Sequence, residues 1–134
     1  MTWKDVYSFA FQGHLIPILQ SLANVIGEEK FIEILKKASS EAGAQNMKNR
    51  TKNMPEKDLA ALASFIKANP VFKRVLTYEI VEESDKAFEI KVIECLWAKT
   101  FREANASEVG YASICHPDFA STRAFNPKIE LIRT

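Results

Sequence analysis

The hydrophobic period of this chain changes near residue 73, and that change limits the folds open to it. Before it, apolar residues recur at helical spacing. After it, "KRVLTYEIVEE" and "AFEIKVIEC" alternate apolar with polar residues, with "SDK" as the turn between them. Helices leading into an antiparallel hairpin predict an α+β fold, with N-terminal helices packed on the sheet. A chain of 134 residues suffices for one core, so we expect a single domain over 1–134. Its helical part is 1–70, and residues 71–134 hold the hairpin, short helices and a last strand.

Three helices are expected before the change. Residues 3–26 carry Val6, Phe9, Ala10, Leu15, Ile18, Leu19, Leu22 and Ile26 near helical spacing. Gly13 and Pro17 interrupt them, which predicts a kink or two shorter helices. "GEEKFIEILKKASSEAG" is acidic at its start and basic later, with Phe31, Ile34, Leu35 and Ala38 as its stripe and Gly43 as its end. "AQNMKNRTKNM" over 44–54 has little to bury and reads as a connector. The third helix, "PEKDLAALASFIKAN", starts at Pro55 and is stopped by Asn69-Pro70.

Within the hairpin, Phe88, Ile90 and Val92 share one face, opposite Glu89 and Lys91. The alternation fails near Ile93, which calls for a covered far end or a bulge there. "LWAKTFREANAS" then reads as a helix from about Leu96, and "SEVGYASIC" as another capped by Ser107. "KIELIRT" closes the chain as a strand, giving a sheet built from the hairpin and this C-terminal strand. Because the chain stops inside that pattern, a further partner strand could follow Thr134.

Composition excludes several functions. The net charge of +1 gives no field for nucleic acid or an anionic membrane. The basic residues of 44–54 lack interleaved aromatics. The apolar runs are too short to span a bilayer. No secretory signal is visible, so a cytoplasmic location is expected. Two cysteines make no disulfide framework and are expected to be thiols. With 4 glycines, a glycine-rich nucleotide loop is excluded.

Chemistry concentrates in two places. Cys95 ends the hairpin where a helix begins, so free N–H groups there favour a thiolate; the competing reading is a small buried hydrophobe under Trp97 and Phe101. "SICHPDFA" gathers Cys115, His116 and Asp118. Pro117 is expected to push His116 out of helical geometry and so place Cys115 at a chain reversal. His116 suits polarising a thiol or binding a carboxylate, and Asp118 suits capping "FASTRAF" or moving protons. Cys95, Cys115 and Asp118 form a conceivable three-ligand set for a divalent metal such as zinc, with one open position. Adjacent Cys115 and His116 diverge too much to share a metal. Glu94 shares the Phe88–Val92 face and is a second acid–base candidate, against a rim carboxylate paired with Arg102 or Lys99. Arg123 could hold a substrate carboxylate. His14 is expected as a partly buried core or interface histidine.

"ECLWAKTFREA" followed by "ASICHPDFASTRAFNPKIELIRT" resembles the L-2-amino-thiazoline-4-carboxylic acid hydrolase family over about residues 74–134. The shared order is a hairpin, a Cys, a Cys-x-x-Asp, an Asn-Pro and a strand. The N-terminal helices match in kind. The resemblance implies hydrolytic opening of a cyclic C–N=C–S amidine to an N-carbamoyl cysteine. It implies Cys95, Cys115 and Asp118 as site residues, with His116 and Asn126 nearby, acting on a small-molecule substrate. In that family the last strand continues to a glycine and a cysteine- or histidine-bearing end, and this chain stops before them. Two other classes stay open. One is a metal- or ligand-binding sensor-like domain of the 4-vinyl reductase-like kind. The other is a domain that forms homodimers through its N-terminal helices, using Trp3, Tyr7 and Phe11.

Overall fold

A computed structural model describes residues 1–134. Thr2 opens the first helix with a capping box: its hydroxyl accepts the Asp5 N–H at 3.2 Å, and the Asp5 carboxylate accepts the Thr2 N–H at 2.8 Å. Helix α1 (Trp3–Tyr7) then runs through a wide-turned segment, Ser8–Leu15, into α2 (Ile16–Ile26). The wide turns close with the Ile16 N–H on the Phe11 carbonyl, five residues back. Pro17 follows at once. Its ring would crowd the carbonyl four residues earlier, and widening the turn moves that carbonyl aside. The expected kink or break is thus replaced by one widened helix of 24 residues, Trp3–Ile26.

That continuity corrects the reading of the apolar runs as too short for a bilayer. By length and composition alone Trp3–Ile26 could cross one. Its inward side is committed to the protein, however. Ile16, Leu19 and Ala23 lie in the core, and the Gln20 amide donates to the Ala104 carbonyl at 2.8 Å. Gly27, at φ 99°, breaks the chain into α3 (Glu28–Thr51).

Helix α3 does not end at Gly43, and residues 44–51 are helical. The glycine serves close approach. A Cβ on it would come within 2.9 Å of Ser121 Oγ and 3.1 Å of Pro117 Cβ, on the helix that crosses here. This crossing, not local hydrophobicity, carries α3 to Thr51, whose buried hydroxyl donates to the Met47 carbonyl at 2.7 Å. Arg50 lies over the Phe65 ring at 4.9 Å.

Helix α4 (Leu59–Ala68) starts four residues later than expected. Asp58, not Pro55, supplies its cap, accepting the Ala61 N–H at 2.8 Å. Asn69 ends it and caps α5 (Pro70–Val75), accepting the Val71 N–H at 2.9 Å. Strands β1 (Leu76–Glu83) and β2 (Phe88–Cys95) form the antiparallel hairpin, closed by the Ser84 N–H on the Ala87 carbonyl at 2.9 Å. Thr77 pairs with Glu94 and Tyr78 with Val92, so Ile93 is the bulged residue. A second irregularity leaves out Val81. Ile93 is 54% exposed, so a bulge and not a covered far end breaks the alternation.

Helix α6 (Leu96–Glu103) leads to α7 (Ser107–Gly110), whose cap position is Ala106, not Ser107. Another wide turn, Tyr111–Cys115, closes with the His116 N–H on the Tyr111 carbonyl at 2.8 Å. Pro117 follows and opens α8 (Pro117–Phe125). His116 keeps helical angles, φ −57° and ψ −39°. The expected chain reversal at Cys115 is therefore a widened but continuing helix, by the same proline device as at Pro17.

The class is α+β, with a smaller sheet than expected. The sheet holds β1 and β2 only; Lys128 lies in a turn, and Ile129–Thr134 joins no strand. The helices bury their apolar faces chiefly against one another. The core joins Ile16, Leu19 and Ala23 of α2 to Phe31 of α3, Phe101 of α6, Ala106, and Val109 of α7. Phe101, 1% exposed, contributes about 2–3 kcal/mol by its burial.

Candidate functional site

Cys95 stands where the sequence places it. It is the last residue of β2 and the cap of α6, and its Sγ accepts the Ala98 N–H at 3.5 Å. It is partly exposed, not a sealed core thiol. The sulfur faces the free N–H groups at the start of α6. Tyr7 reaches the same corner from α1. Its hydroxyl shares a 2.8 Å hydrogen bond with Thr100 Oγ1, which in turn donates to the Leu96 carbonyl at 2.7 Å. Burial pushes the Tyr7 phenol up, the Thr100 hydrogen bond opposes this, and the charge on Cys95 adds to the rise. The phenol therefore stays protonated beside Cys95.

Cys115 and Asp118 come from the second wide turn and α8, three positions apart on a continuing helix. Burial pushes the Cys115 thiol up; Arg133 pulls it down; Asp118 and Cys95 add to the rise. Burial likewise raises the Asp118 carboxyl, against the charge and hydrogen bond of Arg133. The Arg133 guanidinium is ion-paired to Asp118 Oδ2. Two thiols, one carboxyl and one guanidinium thus act on one another electrically. Of the two thiols, Cys115 is the one held toward its protonated form.

The set does not form a metal centre. No three histidine, cysteine or acidic side chains come together closely enough to hold an ion. Cys95, Cys115 and Asp118 are not gathered as one ion site, and Asp118 Oδ2 is taken by Arg133.

Other expected members are placed elsewhere. Asp118 lies inside α8 rather than capping it, since His116 occupies the cap position. The His116 ring is flanked by Tyr111 at 6.2 Å and Phe119 at 6.1 Å, an aromatic setting. Asn126 spends its side chain on the backbone. It donates to the Lys57 carbonyl at 2.8 Å and accepts the Lys128 N–H at 2.9 Å. That work anchors the terminal segment that carries Arg133. Arg123 is exposed, and Arg133 takes the cationic place next to Asp118. Glu94 is exposed, not inward, and forms no ion pair with Lys99 or Arg102. His14 is exposed, stacked on Phe9 at 5.7 Å.

Sequence reasoning missed Arg133 and Tyr7 as neighbours of these candidate residues. "IELIRT" reads as a strand, and nothing in its pattern says that it folds back over α8. Tyr7 carried a faint signal, an aromatic hydroxyl on an otherwise apolar helix, which needs a partner when buried.

Comparison with curated proteins and with solved structures finds no match to the chain. A family model described as L-2-amino-thiazoline-4-carboxylic acid hydrolase matches residues 8–134. The match extends well beyond the resemblance of residues 74–134, taking in the helices that build the core, and begins one residue after Tyr7. The chain belongs to the L-2-amino-thiazoline-4-carboxylic acid hydrolase family.

Proposed function

We propose that the protein hydrolyses a cyclic amidine of the 2-amino-thiazoline type, with Cys95 as nucleophile. The observation that carries this reading is the placement of the Cys95 sulfur at the start of α6, on the Ala98 N–H, within electrostatic reach of a raised thiol. The Cys95 thiolate adds to the ring carbon bonded to both nitrogens and sulfur. The carbon–sulfur ring bond breaks, and the departing sulfur takes a proton from Cys115 or Asp118. An isothiourea remains on Cys95. Water then adds to the same carbon, giving up a proton to the group that donated one, and the Cys95 thiolate leaves. The product is a urea, the N-carbamoyl cysteine named by the sequence resemblance.

Arg133 supports the choice of a carboxylate substrate. A guanidinium on one carboxylate has donors left for a second, in fork geometry. Tyr7 donates its one proton to Thr100 Oγ1, which leaves its oxygen lone pairs beside Cys95 to accept from an amidine N–H. A cytoplasmic setting would keep both cysteines reduced.

Ring opening liberates one thiol per turnover, so a thiol-reactive dye follows it directly. Cys95→Ser is expected to reduce the rate by more than about a hundredfold, as removal of a nucleophile does. Cys115→Ser is expected to cost about tenfold to a hundredfold, the scale of a general acid. Full activity in both variants contradicts the proposal.

A further inference from the structure

Helix Trp3–Ile26 turns one side to the core and leaves another uncovered. Leu15, Ile18, Leu22 and Val25 recur in steps of three, four and three, the spacing of a two-helix seam. They are 37%, 51%, 41% and 84% exposed, and Ile26 beside them is 39% exposed. The strip continues toward the N-terminus through His14, on which Phe9 stacks at 5.7 Å with 73% of its own surface free. Isolated exposed apolar residues are ordinary, but a continuous seam of them is not.

We infer that this seam is the interface of a homodimer, formed with the same strip of a second copy across a two-fold axis. Three observations select that occupant. First, no Asp, Glu, Lys or Arg occurs from Val6 to Gly27. A charged partner finds no countercharge here, whereas an identical neutral strip requires none. Second, seven large apolar side chains between Val6 and Ile26 are each more than a third exposed, a patch of the kind that marks a protein contact. Third, a membrane is a poor occupant. The neighbouring side of the helix holds Ile16, Leu19 and Ala23 in the core, so spanning would unpack it. Surface binding would want the basic flank that this strip lacks. The structure also changes which residues meet. Tyr7 is bonded to Thr100, and Phe11 packs on the core, so neither is available as the sequence suggests.

A self-paired seam is isologous, so a residue near the axis meets its own copy. Light scattering on the full chain over about a hundredfold range of concentration reads the mass. Twice the chain mass is expected for the native protein. Ile18→Glu is expected to give the single-chain mass with an unchanged circular dichroism spectrum, because Ile18 is half exposed. Mixing Ile18→Glu with Ile18→Lys is expected to restore the double mass. Leu22→Ser, a milder change, is expected to weaken association without loss of fold. A native protein of single-chain mass at every concentration overturns the inference. So does a folded Ile18→Glu variant that stays dimeric, and so does a monomer that floats with phosphatidylcholine vesicles.

Discussion

The chain uses one backbone device twice, and the two copies end differently. Ser8–Leu15 and Tyr111–Cys115 are both wide turns, and each is followed, one residue on, by a proline. The local physics is the same in both, a ring that lacks an N–H and crowds the preceding turn. The surroundings differ. No residue of the first segment is buried, and it leads into an uncovered apolar seam. The second lies against α3, buries Ala112, and sets Cys115 and Asp118 beside Arg133. Proline decides that the helix widens. Tertiary packing decides whether the widened turn makes a surface or a site.

The sharpest break between the two regions comes from their glycines. At Gly43, against the second region, an added side chain meets Pro117 and Ser121. Gly43→Val is expected to destabilise by about 1–3 kcal/mol through overpacking. At Gly13, in the first region, the nearest atom to a new Cβ is the Ser8 carbonyl at an ordinary 3.7 Å. Gly13→Ala is expected to be neutral or to stabilise by up to about 1 kcal/mol, the helix preference for alanine. Denaturant midpoints measure both. Equal effects at the two glycines would break the comparison.

The prolines come next in size. Pro117→Ala removes the reason for the wide turn and lets Cys115 rotate back toward regular spacing. Ring opening is expected to fall about tenfold, since small misplacements of reacting groups are costly. Pro17→Ala, remote from the thiols, is expected to stay within about twofold of native activity. The thiol-release rates of the two variants give the answer.

The smallest effect is on pH dependence. Folding raises the Asp118 pKa above its ordinary 3.8, because burial outweighs the Arg133 pair. The folded state therefore holds this proton more tightly than the unfolded chain. Stability from this group is fully present below that ordinary value and is lost as pH rises through the raised one. Asp118→Asn, a neutral stand-in, is expected to match the native protein in acid and to exceed it slightly near neutrality. Thermal midpoints across that range check the sign. A native advantage that grows with pH would mean that the Arg133 pair dominates.

Much of this was legible in the residues. The period change located the hairpin, the failed alternation at Ile93 left a covered end or a bulge, of which the bulge is present, and the strand-to-helix junction put Cys95 at a cap. Those signals are local, and local energies govern them. The misses share a different cause. Residues 44–51 look like a connector yet stay helical, because α3 crosses α8 at Gly43. Pro117 looks like a terminator yet only widens the turn, because the same crossing holds both sides of it. "KIELIRT" alternates like a strand, yet it runs free of the sheet and ties Arg133 to Asp118. Contacts between distant segments decide each of these, and no window of sequence contains them. The site was half visible for the same reason. Cys95, Cys115 and Asp118 were named from their chemistry, whereas Arg133 and Tyr7 join them only through the fold.

The central proposal is a division of labour between two thiols, with Cys95 at the helix cap as the nucleophile and Cys115 held toward its protonated form. Limited alkylation by iodoacetamide, followed by peptide mass spectrometry over a pH series, reads both sulfurs in one sample. The account predicts that Cys95 is modified first at neutral pH and that Cys115 follows only as pH rises past the ordinary thiol range. Modification of Cys115 ahead of Cys95 at neutral pH would contradict it.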